Sequence, residues 1–197
     1  MRILVFSDIH GDKTALGRLM DTEADMYVNA GDLATFGRGL EALAPILARR
    51  AEKMWVLPGN HEHANQVEAY CECYGFHTLH GQSLPVQGAH LAGLGHSNPT
   101  PFKTPGEDSE ETIAKNLAAF AALKPLALIC HCPPLDTPLD EAAPGKHFGS
   151  RAVREFIDTY QPEWFLCGHI HEAAGRDVMV GKTRAVNVGK QGYLLEL

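Results

Sequence analysis

Apolar residues fall along this chain in two alternating rhythms. Short unbroken runs of β-formers, at residues 3–6, 26–29 and 54–57, read as fully buried strands. Each run is followed by a polar loop and then by apolar residues at helical spacing. Leu16, Leu19 and Met20 share one face of a helix over 13–20. Leu40, Leu43, Ile46 and Leu47 mark a helix over 39–51, and a third helix is expected over 64–74. Strand, loop and helix repeated three times predict parallel strands joined by crossover helices. In open parallel sheets sites form outside the carboxyl ends of the strands, so the polar residues that follow the three runs are expected to converge.

The second half is less regular. Residues 84–94 alternate around Gln87-Gly88 and read as a hairpin. Residues 98–106 contain Pro99, Pro101 and Pro105 and are expected to form a loop. A helix is expected over 109–123, with Ser109 as N-cap and Glu110 and Glu111 in the first turn, and another from the cap Ser150 to about Tyr160. Residues 126–129 and 164–167 read as buried strands. Three more at 177–180, 184–188 and 193–197 suggest an antiparallel finish. With 197 residues and no repeat or linker, the chain is expected to form one domain over 1–197.

Composition changes the picture at one residue type. The chain carries eleven histidines, clustered beside Asp, Asn and Gly. Imidazole and oxygen donors grouped in this way are a first sign of metal chemistry. The net charge of −7 argues against a nucleic-acid surface, which is normally basic. No apolar stretch approaches the ~20 residues that span a bilayer, and residues 1–8 do not form a signal peptide. The five cysteines (Cys71, Cys73, Cys130, Cys132 and Cys167) are odd in number and lack zinc-finger spacing, which suits reduced thiols in a cytoplasmic protein.

Five polar clusters stand just after five of the expected strands: Asp8-Ile9-His10, Gly31-Asp32, Gly59-Asn60-His61-Glu62, His131 and Gly168-His169-Ile170-His171. Asp8 and His10, like His169 and His171, are two residues apart, and in extended backbone such side chains share a face. The glycines before Asp32, Asn60 and His169 permit sharp turns and close approach. Oxygen and imidazole donors without thiolate suit divalent manganese, iron, zinc or nickel.

This ordered series, Asp-x-His, Gly-Asp, Gly-Asn-His-Glu, His and Gly-His-x-His, resembles the calcineurin-like metallophosphoesterase superfamily. The motifs run from Asp8 to His171. The resemblance implies an α/β fold of two mixed β-sheets packed as a sandwich and flanked by helices, with two divalent metals at the sheet edge, manganese being the first expectation. Carried over position by position, Asp8, His10 and His171 would hold one metal, Asn60, His131 and His169 the other, and Asp32 would bridge them. Asn60 and His61 would meet the substrate, with His61 as candidate acid for the leaving group. Two metals sharing a water would lower its pKa and let it attack phosphorus without a covalent enzyme intermediate. The implied activity is hydrolysis of small phosphomonoesters or phosphodiesters.

The chain departs from the Ser/Thr protein phosphatases of that superfamily. Where their loop carries an Asp and an Arg, this sequence has Thr35 and Phe36, which removes the usual carboxylate behind His61. The stretches Ser97-Asn98-Pro99-Thr100-Pro101-Phe102 and His147-Phe148-Gly149-Ser150 are similar to a small bacterial and archaeal branch of Icc-related phosphoesterases. His96 and His147 lie on long loops that could rim a site, and His96 is taken as a substrate contact. Glu62 and Glu172 follow ligand motifs and are either supports for ligands or solvated carboxylates. If His131 faces the metals, Cys130 and Cys132 should point into the core on the other face. Cys71 and Cys73, two apart on a helix, should not share a face. Two other readings are weaker. A scaffold without activity would have lost ligands, whereas every position is filled here. A nuclease would be expected to add DNA-binding domains and basic charge.

Overall fold

The computed structural model describes residues 1–197. Alternation along the strands sorts side chains into layers. On β1 (Arg2–Phe6), Leu4 and Phe6 pack towards helices, while Ile3 and Val5 face a second sheet. The same holds on β7 (Leu126–Cys130), where Leu126, Leu128 and Cys130 face helices and Ala127 and Ile129 face the first sheet. Three apolar cores result, one between the sheets and one under each helical layer. The architecture is a four-layer α-β-β-α sandwich, as the family resemblance implied.

The first sheet has β2 (Met26–Asn29), β3 (Met54–Val56) and β4 (His77–Thr78) running parallel to β1. Its helices are α1 (Lys13–Asp21), the short α2 (Ala44–Leu47) and α3 (Ala64–Tyr74). The second sheet begins with the hairpin β5 (Gln82–Val86) and β6 (Ala89–Leu94). Gln87 and Gly88 both take positive φ, as a two-residue hairpin turn requires. From β6 the sheet continues in parallel through β7, β10 (Trp164–Cys167) and β12 (Thr183–Asn187), and β11 (Asp177–Val180) closes the far edge antiparallel to β12. Helices α4 (Glu110–Ala118) and α5 (Arg151–Tyr160) cover it. Ser109 and Ser150 cap them through the N–H groups of Thr112 and Val153. A small hairpin, β8 (Glu141–Ala143) and β9 (Lys146–His147), stands apart from both sheets.

Three expectations needed correction. The helix expected over 39–51 is broken into a 3₁₀ turn at Leu40–Ala42, then α2, then a kinked 3₁₀ stretch at Ala48–Lys53. Pro45 is the cause, because a residue without N–H fits only the first turn of a helix. The helix expected to reach 123 ends at Ala118 and tightens into i→i+3 bonds up to Leu123, two residues ahead of Pro125. The antiparallel finish holds only in part. β12 runs parallel to β10, while β13 (Tyr193–Glu196) crosses to the first sheet and pairs antiparallel with β1.

Candidate metal centre

All five polar clusters leave the carboxyl end of a parallel strand. β1, β2 and β3 deliver Asp8, Asp32 and Asn60 from one sheet, and β7 and β10 deliver His131 and His169 from the other. The turns that carry them are strained. Asp8, His10, Asp32 and His169 all take positive φ, a region costly for residues with a Cβ. The preceding glycines provide space. A Cβ on Gly59 would stand 2.0 Å from Asp32 Oδ1, and one on Gly168 would stand 2.5 Å from Asp8 Oδ2. Gly31 in addition takes φ +108° and lies against the His131 ring.

The donor atoms close on one another in two linked groups. His10 Nε2 lies 3.1 Å from His171 Nε2, which is 3.7 Å from Asp8 Oδ1. Across the site Asn60 Oδ1 is 3.0 Å from His131 Nε2 and 2.8 Å from His169 Nδ1. A single oxygen, Asp32 Oδ2, stands 3.5 Å from both His10 Nε2 and His131 Nε2. Ligands about 2.1 Å from one ion at tetrahedral or octahedral angles are separated by roughly 3.0–3.4 Å. The observed spacings, 2.8–3.7 Å, scatter around the edges of such polyhedra, and the oxygen and imidazole donor set fits divalent cations.

Hydrogen bonds made away from the centre fix which ring nitrogen His10, His61 and His131 present. His131 Nδ1 donates to the Ala30 carbonyl at 2.8 Å, which ties the second sheet to the first and turns Nε2 inward. His10 Nδ1 meets Thr35 Oγ1 at 3.1 Å. Asn60 Nδ2 donates to Thr104 Oγ1 at 3.0 Å, which leaves its carbonyl oxygen for the centre. His61 Nδ1 accepts the N–H of Phe36 at 3.2 Å, so the proton of the neutral ring sits on Nε2.

Charges are strongly coupled here. Burial would lower the His131 pKa, but the neighbouring Asp32 carboxylate overturns this and raises it to about 10. Burial would raise Asp32, yet His131 and His10 hold it well below the usual carboxylate range. His169 drops to about 4 through burial and the repulsion of His131.

Glu62 is a structural part of the centre. It is 1% exposed, and its carboxylate accepts the N–H groups of Asp32, Ala34 and Gly59 at 3.1, 2.8 and 2.9 Å. It clamps the loop after β2 to the loop after β3. Burial and the nearby Asp32 push its pKa up to about 8, against three donors that favour the ionised form. Its place directly after Asn60-His61 was the sequence signal. Thr35 and Thr104 gave none, since their partners are 25 and 44 residues away.

A cavity of about 530 Å³ opens over the centre. Asp32, Asn60, His61, His169 and His171 form its floor, and Asn98 to Phe102, His147 to Gly149 and Glu172 form its walls. His147 therefore lines this cavity. The structure does not bring His96 to it. His96 Nδ1 pairs with Asp108 at 3.0 Å, its ring packs on His80, and its Nε2 is enclosed, so the expected substrate contact is not made. Cys130 and Cys132 lie in the core beneath α4 and α5, as the position of His131 required, and Cys71 is buried while Cys73 is exposed.

The model of the calcineurin-like phosphoesterase family matches residues 1–173. The chain belongs to the calcineurin-like phosphoesterases. It is 32% identical over 203 residues to the uncharacterized protein MJ1162 of Methanocaldococcus jannaschii, covering 99% of this chain and 91% of that one. The fold is also that of TT1561 of Thermus thermophilus, with a TM-score of 0.75 at 20% identity over 98% of this chain and 93% of the other. A dimetal phosphatase from Danio rerio superposes with a TM-score of 0.60 at 11% identity, covering 94% of this chain and 86% of that one. Family membership makes this calcineurin-like phosphoesterase a hydrolase of phosphoesters that uses divalent metal. No helix of it is long and apolar enough to cross a membrane.

Proposed function

We propose that the chain hydrolyses small phosphodiesters, and more slowly phosphomonoesters, at a pair of divalent ions. The observation that carries this reading is Asp32 Oδ2, 3.5 Å from one histidine of each ligand group and so placed to join them. Asp8, His10 and His171 would hold one ion, Asn60, His131 and His169 the second, with Asp32 between. Ions bound there supply a nucleophile by lowering the pKa of water and offset charge on phosphoryl oxygens. Manganese is the first expectation, with iron, zinc and nickel compatible with the same donors.

The rest falls to the side chains. Asn60 Oδ1 and the histidines orient the centre, and His61 directs its Nε2 proton to a phosphoryl oxygen. The walls shape an open cleft that admits a substrate of modest size, as expected of a small-molecule site. They carry no Lys or Arg, and Glu172 adds a negative charge. That favours the diester, whose reacting phosphate bears one charge fewer than a monoester dianion.

The test is hydrolysis of bis(p-nitrophenyl) phosphate and p-nitrophenyl phosphate by metal-stripped protein after adding back Mn, Fe, Zn, Ni or Mg, with metal stoichiometry on the same samples. Two ions per chain and metal-restored cleavage with the diester preferred are expected. A stoichiometry of one, or no cleavage with any ion, would refute the reading.

A further inference from the structure

Beside the clustered donors, the cavity lining carries a second polar device. The 3₁₀ turn Pro138–Asp140 leads into the β8–β9 hairpin and places Asp140 fully buried beneath it. Asp140 accepts four bonds. Oδ1 takes the Thr137 N–H at 2.9 Å and His147 Nδ1 at 2.7 Å, and Oδ2 takes the N–H groups of Asp136 and Gly149 at 3.2 and 2.9 Å. A carboxylate so placed accepts a hydrogen bond from His147 Nδ1–H and fixes the ring. His147 lines the cavity, and its Nε2 has no protein partner.

We propose that His147, oriented by Asp140, is the residue that hands a proton to the leaving oxygen. The inference rests on the phosphoesterase reading above. His61, whose Nδ1 accepts a backbone N–H, donates to a phosphoryl oxygen that stays on phosphorus. His147, with its Nδ1 proton held by Asp140, serves the departing oxygen.

The step balances. The oxygen of water bonds to phosphorus and the ester P–O bond breaks, its electron pair passing to the leaving oxygen. That oxygen takes the Nε2 proton of His147. The proton lost by the attacking water reaches solvent, from which His147 is recharged. The groups facing the ring support a charged imidazole. Asp140 and Asp136 approach from the preceding turn and Glu141 from β8, with Glu141 itself paired to Arg176 at 3.0 Å. Their bond and charges raise the His147 pKa above its ordinary value, the Asp140 bond being the largest cause. The acid form thus persists to higher pH than in a free imidazole and is lost as pH rises through the folded-state pKa.

The experiment is a leaving-group series of phosphodiesters, from p-nitrophenyl to alkyl esters, on metal-loaded wild type, His147→Gln and His61→Ala. His147→Gln should lower kcat for alkyl leaving groups by about 10²–10⁴-fold. For p-nitrophenolate, which needs no proton, it should lower kcat less than tenfold, and the alkaline fall of the alkyl-ester profile should disappear. His61→Ala should slow all members alike. In metal-free protein, at a pH where the ring is neutral, the imidazole ¹⁵N signals should place the remaining His147 proton on Nδ1. Asp140→Asn should erase that signature, and because it risks unfolding the hairpin, His147→Gln carries the test. Equal slowing of good and poor leaving groups by His147→Gln, as for a purely structural histidine, would overturn the proposal alone. A wild type inactive on every ester would overturn it together with the phosphoesterase reading.

Discussion

Removing the Glu62 carboxylate should loosen the centre before any chemistry is considered. Glu62→Ala would strip partners from three backbone N–H groups, those of Asp32, Ala34 and Gly59, in a region where the side chain is 1% exposed. Each buried N–H left without a partner costs about 1–3 kcal/mol. The upper sum is not reached. The space vacated by the side chain admits a water that can bridge some of the donors, and loss of a carboxylate pressed against Asp32 relieves a repulsion. A net loss of about 3 kcal/mol is expected, which corresponds to a fall of about 1 M in the urea midpoint of metal-free protein. Glu62→Gln keeps one oxygen able to accept the Asp32 and Gly59 N–H groups and loses only the Ala34 bond, for about 1 kcal/mol. Urea unfolding followed by circular dichroism measures both. A Glu62→Ala midpoint within about 0.3 M of wild type, or equal effects of Gln and Ala, would refute the clamp.

Gly168→Ala should weaken metal binding at least tenfold, because its Cβ would fall 2.2 Å from Ser7 Oγ and 2.5 Å from Asp8 Oδ2, while ligand distances tolerate only about 0.2 Å. Calorimetric titration with Mn tests this, and unchanged affinity would show that Asp8 is not a ligand. Metal binding at pH 7–8 should release a proton from His131, whose folded pKa of about 10 lies above the working pH, so apparent affinity should rise with pH. Titrations in buffers of different ionisation enthalpy count that proton, and none released would contradict the assignment of His131 as a ligand. In native protein only Cys73 should react rapidly with a thiol reagent, since the other four cysteines are buried and burial pushes Cys71 to about 12. Two or more fast equivalents would mean the outer helical layers open readily.

The sequence by itself determined the parallel strands, the hairpin at Gln87-Gly88, both serine caps and the ordered polar residues at five strand ends. These features are local. Periodicity of two or 3.6, a turn dipeptide and a cap each lie within a few residues of the structure they specify. Helix ends at Pro45 and before Pro125 were less legible, because competing short-range bonds decide them. Tertiary structure alone decided which polar residues meet. Nothing near His131 in sequence shows that its Nδ1 binds Ala30, 101 residues earlier, or that Asp32 Oδ2 lies 3.5 Å from both His10 and His131. Likewise His96 and His147 looked equivalent as loop histidines. Asp108 and His80 enclose the first, while Asp140 holds the second at the cavity wall. A residue's type limits what chemistry it can do. Which partner it meets, and which ring nitrogen is left free, depends on contacts between segments far apart in the chain, and those exist only once the two sheets have packed.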